Sequence, residues 1–190
     1  MITYNDIRNI QNNGIEVTGD SYNLIIFNNT IKDCGQIGID FEGIYSTISY
    51  NNIFNVNEGI CINGHELNVT DNNIQNCTNN GITVESGTYY SSNHVISNNT
   101  IKDCGQRGID FEGIYSTISY NNMSNVNGGI YVYGFGNDIL NNDIVGKNRS
   151  EWGIAIGGYN NNIKNNNVRN TKGIGSSDWV NNSFLNNTVT

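Results

Sequence analysis

Proline is absent from these 190 residues, and alanine occurs once, at Ala155. Helix formers are scarce while Asn, Gly, Ile, Ser, Thr and Tyr abound, a composition that favours strands broken by frequent turns. Basic residues are few: 9 Lys and Arg stand against 17 Asp and Glu, a net charge of -8. No basic stripe is present to neutralise phosphates, which argues against nucleic acid as a partner. No apolar run approaches the length needed to cross a bilayer, so no membrane span is expected. The opening residues lack a basic segment followed by an apolar one, so no signal peptide is visible. The chain is then either cytosolic or trimmed of its signal. The two histidines, His65 and His94, fall outside any metal-ligand spacing, and no Cys-x-x-Cys or Cys/His set points to zinc.

What the chain does contain is a repeat. Asn-x-apolar recurs nine times, at Asn5, Asn29, Asn51, Asn72, Asn99, Asn121, Asn142, Asn166 and Asn187. The steps are 24, 22, 21, 27, 22, 21, 24 and 21 residues. A period in that range marks a stack of small supersecondary units rather than a conventional globular core. Three residues before each asparagine from the second onward stands an apolar residue, from Ile26 to Phe184. A second polar row runs Asn9, Asp33, Asn55, Asn76, Asp103, Asn125, Gly146 and Asn170. A Gly-Ile pair follows in each repeat. Disordered Asn-rich tracts lack such apolar rows.

The residues after each Gly-Ile pair alternate. In the stretch 38–43, Ile39 and Phe41 share one side and Asp40 and Glu42 the other, the mark of a half-buried strand. Each repeat reads as two or three short strands, too short to form hairpins within a repeat. They must pair in parallel with the same strand of the next repeat. The expected fold class is all-β: a single domain over 1–190, a parallel β-solenoid of about eight coils stacked roughly 4.8 Å apart. Asparagine at the turns tolerates left-handed backbone angles, and repeated amides hydrogen-bond along the stack as a ladder. Both polar rows are assigned these structural roles.

This pattern resembles the right-handed parallel β-helix repeat of pectate-lyase-like and NosD-type proteins, over essentially the whole chain. The resemblance implies that fold and an extracellular or cell-surface setting. It does not choose an activity, because the family holds polysaccharide lyases, glycoside hydrolases, epimerases, tailspikes, adhesins and envelope proteins. The calcium-plus-arginine arrangement of pectate lyases is not found. The paired-Asp and Gly-His-Gly elements of polygalacturonases are missing as well.

A second repeat lies over the first. Residues 28–60 and 98–130 agree at 29 of 33 positions, an offset of three coils. A duplicated strip suits extension or multivalent contact, whereas a single catalytic centre seldom needs copying. After the Gly-Ile pairs, one outward row runs Glu16, Asp40, Cys61, Thr83, Asp110, Tyr131 and Ala155. The next runs Thr18, Glu42, Asn63, Glu85, Glu112, Tyr133 and Gly157. Glu85, Asp110 and Glu112 are thus expected on one patch, with Tyr131 and Tyr133 on the following coil. Carboxylates beside exposed aromatics suit sugar recognition or acid–base work. Asp110 and Glu112, two apart on one strand, stand roughly 7 Å apart, within the window of an inverting glycosidase pair. The three acids are the catalytic candidates. Asp40, Glu42, Arg107, Tyr131 and Tyr133 are the substrate-binding candidates. The same three acids are also candidate ligands for calcium, which takes oxygen donors. Solubility of an exposed strand face accounts for the acids equally well, and Arg107 serves either a sugar carboxylate or charge balance.

Cys34, Cys77 and Cys104 share a row with Ile10, Val56 and Val126, which places them in the core. Cys77 and Cys104 fall on successive coils, where a disulfide is geometrically allowed. Cys61 lies in the outward row and is expected to be exposed, a candidate intermolecular thiol. No amphipathic cap is readable at either end, so the expectation is a piece of a longer β-helix or a unit whose open ends stack on other copies. Two function classes remain. One is a non-catalytic envelope module, a structural or self-assembling rod or a polysaccharide-binding one. The other is a carbohydrate-active lyase, hydrolase or epimerase.

Overall fold

The computed structural model describes residues 1–87, 91–177 and 180–190, apart from the side chain of Asp20. Its strands form three parallel sheets of nine strands each, and no helix occurs among the described residues. The first sheet runs from Ile2–Thr3 to Ser183–Leu185 and the second from Asp6–Arg8 to Thr188–Val189. The third runs from Ile15–Tyr22 to Ile174–Ser176. Nine strands make eight steps, so the rod has about eight turns and a length of roughly 40 Å. A typical coil gives one strand to each sheet; in the third sheet one coil gives two pieces, Ile82–Glu85 and Ser91–Ser92.

The apolar rows point inward. Ile26, Ile48, Val69, Ile96, Ile118, Ile139 and Ile163 are fully buried along the first sheet and stand in register from coil to coil. Burying such a side chain stabilises by about 1.5–3 kcal/mol. An isolated coil has no second coil against which to bury it, so the sequence specifies a stack.

Three corners per coil close the triangle. Every non-glycine residue with positive φ falls on one of three rows. One begins Tyr4, Asn28, Tyr50 and Asp71, a second Asn9, Asp33, Asn55 and Asn76, and a third Asn23, Tyr45, Glu66 and Asn93. The two polar rows of the sequence therefore divide their labour. The second row, except at Gly146, is the left-handed corner. The nine asparagines of the first row have ordinary φ, and the residue before each of them takes the left-handed angle.

Those nine asparagines are the ladder. Across all eight steps, each Nδ2 donates to the Oδ1 of the next asparagine at 2.9–3.0 Å. Each backbone N–H donates to the same oxygen. A less regular ladder, not foreseen from sequence, lines the corner after the third sheet. Ser46, His94, Ser116, Asn137, Asn161 and Asn182 each accept the backbone N–H of the coil before.

All four cysteines are buried and free. For Cys34, Cys77 and Cys104 this is the expected core position. For Cys61 it is a correction: the outward row does not expose it, and its accessibility is 5%. Asp40 and Thr83 flank it in register. Thr83 Oγ1 donates to Glu58 Oε1, drawing the two side chains together beside the thiol. The exposure on which the intermolecular reading of Cys61 rested is not found.

Candidate functional site

The outward face of the third sheet carries every candidate, in the order the repeat predicts. Glu16, Asp40, Cys61, Thr83, Asp110, Tyr131, Ala155 and Gly175 are paired one coil after another. Beside them, Glu42 pairs Asn63 and Asn63 pairs Glu85, and further along Glu112 pairs Tyr133 and Tyr133 pairs Gly157. The strand Ile82–Glu85 keeps Glu85 paired to Asn63 on one side, but its pairing with the next coil ends at Val84, which pairs Phe111. Glu85 is therefore not paired with Glu112, which instead accepts a hydrogen bond from Ser86 Oγ at 2.8 Å.

The face divides into two regions. In the first, Asp40, Glu58 and Glu85 surround Cys61, and Glu16 lies one coil beyond Asp40. Burial and then the charges of Glu16 and Glu85 push the Asp40 carboxyl up, and burial pushes Glu58 up. Burial and the charge of Glu85 push the Cys61 thiol up. Glu58, which the sequence reading passed over, is the more enclosed of these acids. Its signal was available as one of the four differences between the duplicated blocks, Glu58 against Gly128. Glu42 belongs to a separate shallow hollow with Tyr22 and His65.

The second region is a groove of about 570 Å³. Arg107, Asp110, Glu112, Tyr131 and Tyr133, five of the predicted residues, line it together with Trp152, over a floor that includes Ala155, Gly157 and Gly175. Three glycines make room for its rings. A Cβ on Gly128 would come within 2.9 Å of the Tyr131 ring, one on Gly157 within 3.1 Å of Tyr133, and one on Gly175 within 2.9 Å of Trp152. The Arg107 guanidinium lies 4.0 Å from the Tyr131 ring centroid, and its Nη1 is 2.5 Å from Asp110 Oδ1. Asn80 Nδ2 donates to Asp110 at 3.4 Å, and the Tyr131 hydroxyl donates to Glu151 at 3.0 Å. Trp152 and Glu151 were not singled out from sequence, although Trp152 precedes a Gly-Ile pair just as Arg107 does.

The family pattern described as the right handed beta helix region matches residues 1–144 and, again, 58–190. The chain belongs to that family. No curated protein and no solved structure matches the chain. As a right-handed β-helix, the chain has its groove on the outer face of one of its parallel sheets, where side chains of successive coils stand in register. Among the described residues, no group of three or more His, Cys, Asp or Glu is placed to hold a metal ion. Among those residues, no helix is long and apolar enough to cross a membrane.

Proposed function

We propose that the chain is a rigid, non-catalytic module of an extracellular or cell-envelope protein that binds polysaccharide along its third sheet. One observation carries the reading: three ring-bearing side chains stand over three glycines and flank a shallow trough edged by carboxylates. Flat rings present apolar faces for sugar rings, and neighbouring polar groups take their hydroxyls. The continuous amide ladder supports a stiff carrier, since eight successive steps are tied by side-chain hydrogen bonds. Affinity electrophoresis and calorimetry with a panel of soluble polysaccharides test it, with Tyr131→Ala and Trp152→Ala as controls. Binding that both substitutions weaken supports the groove. Binding that neither touches, or no binding at all, removes it.

A catalytic reading keeps one specific support. Asp110 and Glu112 occupy alternate outward positions of one strand beside the trough. Incubating the same panel with the wild type, Asp110→Asn and Glu112→Gln decides it. New reducing or unsaturated ends that vanish in both variants would make the groove an active site.

A further inference from the structure

The charge of the third sheet narrows what the groove takes. Its strands carry one Lys or Arg, Arg107. That guanidinium is already committed, in an ion pair with Asp110 and stacked on Tyr131. It offers no free cation to a ligand carboxylate. Glu112 lines the trough, and Glu151 stands at its side, hydrogen-bonded to Tyr131. Toward the first coils, Glu16, Asp40, Glu58 and Glu85 continue the negative face without a compensating base. A polyuronate laid along this sheet meets like charge at nearly every coil, which costs affinity.

The rings give the opposite preference. Tyr131, Tyr133 and Trp152 are shaped for sugar rings rather than for a bare ion. Coils repeat at roughly 4.8 Å, similar to the advance of one pyranose unit in an extended chain. A glycan lying along the rod can then set one substituent beside each coil. The self-repulsion that helps push up the Asp40 carboxyl is the strain that positive substituents relieve.

We propose that the ligand is a cationic glycan, a pyranose polymer with free amino groups, held by ring stacking at Tyr131, Tyr133 and Trp152 and by the carboxylates of the third sheet. This rests on the polysaccharide-binding reading above and specifies its ligand. The full chain is titrated at pH 6 with four length-matched probes: β-1,4-linked glucosamine, N-acetylglucosamine and galacturonate oligomers, and oligolysine. The glucosamine oligomer binds tightest, about tenfold over its acetylated counterpart, a gap that shrinks as salt screens the charges. Glu112→Gln narrows that gap, while Tyr131→Ala weakens both sugars. Circular dichroism of each variant confirms that the fold is kept. If the acetylated or the galacturonate oligomer binds best, the charge proposal fails and the polysaccharide reading stands. If no sugar binds, both fail. If oligolysine binds as tightly as glucosamine and ignores Tyr131→Ala, the face is a basic-peptide site and the proposal is overturned.

Discussion

Arg107 lies over Tyr131, 4.0 Å from guanidinium carbon to ring centroid, in the space that Gly128 leaves open. The positions 70 residues earlier are Ile37, Cys61 and Glu58, in the same register, with Cys61 and Tyr131 each one residue past the duplicated block. The first block and its next residue thus carry an enclosed acid and thiol, the second a stacked base and ring. The prediction concerns Gly128→Ala. Gly128 has ordinary strand φ, so the backbone accepts alanine, and the atom it strikes is the edge of a movable ring. Unfolding stability should change by less than ~0.5 kcal/mol, while affinity for the groove's glycan falls about tenfold. Chemical denaturation and calorimetry on the same preparation check both. A large stability loss would mean that the ring is fixed by the core and not by the groove.

The amide ladder gives a graded prediction. Asn99 is buried; its Oδ1 accepts Asn72 N and Nδ2, and its own Nδ2 donates to Val69 O and to Asn121. Asn99→Ala leaves Asn72 N–H and the Val69 carbonyl without those partners inside the rod. Each orphaned group costs about 1–3 kcal/mol, so the total is about 4 kcal/mol. The side chain of Asn5, at the exposed first rung, only donates, from Nδ2 to Asn29 Oδ1 and to Thr3 O. Asn5→Ala should therefore cost under ~1 kcal/mol. Urea titrations of the two variants side by side measure the difference. Equal costs would show that the ladder contributes no more in the core than at the end.

The sequence made the register legible because a parallel stack repeats it. Once Ile39, Ile60, Ile82 and Ile109 are aligned, the placement of Asp110 beside Tyr131 follows, and so does the pairing of Glu112 with Tyr133. What register does not carry is side-chain reach. Cys61 and Asp110 occupy one outward row, yet Cys61 is covered because Glu58 and Thr83 join beside it, whereas Asp110 faces an open trough. Glu85 shows the other limit. Periodicity puts it level with Glu112, but the pairing of its strand with the strand of Glu112 ends one residue earlier. Trp152 shares a row, the position before each Gly-Ile pair, with Ile37, Glu58, Asn80, Arg107 and Gly128, but register does not say that its ring lies over Gly175.

The thiols provide a direct check of that cover. Cys34, Cys61, Cys77 and Cys104 are all 5% accessible or less. Cys77 is pushed up by the neighbouring Cys104 thiol and by burial, and Cys61 by burial. An aromatic disulfide reagent at pH 8 should find essentially no thiol in the folded protein and all four in denaturant. Non-reducing gels should show no covalent dimer. Rapid labelling of one thiol, abolished by Cys61→Ser, would show that the Glu58–Thr83 cover opens in solution.

The last prediction follows from the one ring in the corner ladder. His94 is buried, its Nδ1 accepts the Leu67 N–H at 3.2 Å, and its Nε2 has no hydrogen-bond partner. An accepting Nδ1 leaves the proton of the neutral ring on Nε2. Burial first, and the nearby His65 second, push the His94 pKa down to about 4. The unfolded chain titrates near 6.5, so it takes up a proton over a range where the folded chain does not. Stability is then full above pH ~6.5 and falls as the pH drops toward 4, by about 3 kcal/mol in all. Asp40 and Glu58 act in the opposite sense. Their raised carboxyls weaken the fold at neutral pH and relax on acidification, so the wild-type profile alone mixes the two. His94→Asn separates them. Asparagine at this rung repeats Asn137, whose Oδ1 accepts the Ser116 N–H and whose Nδ2 donates to Gly113 O at 3.0 Å. The variant should be more stable than the wild type at pH 4.5, by about 2 kcal/mol or more, with its stability flat or rising as the pH falls from 7 to 4.5. Urea midpoints at those two pH values decide it, and parallel losses in both proteins would remove His94 as the cause.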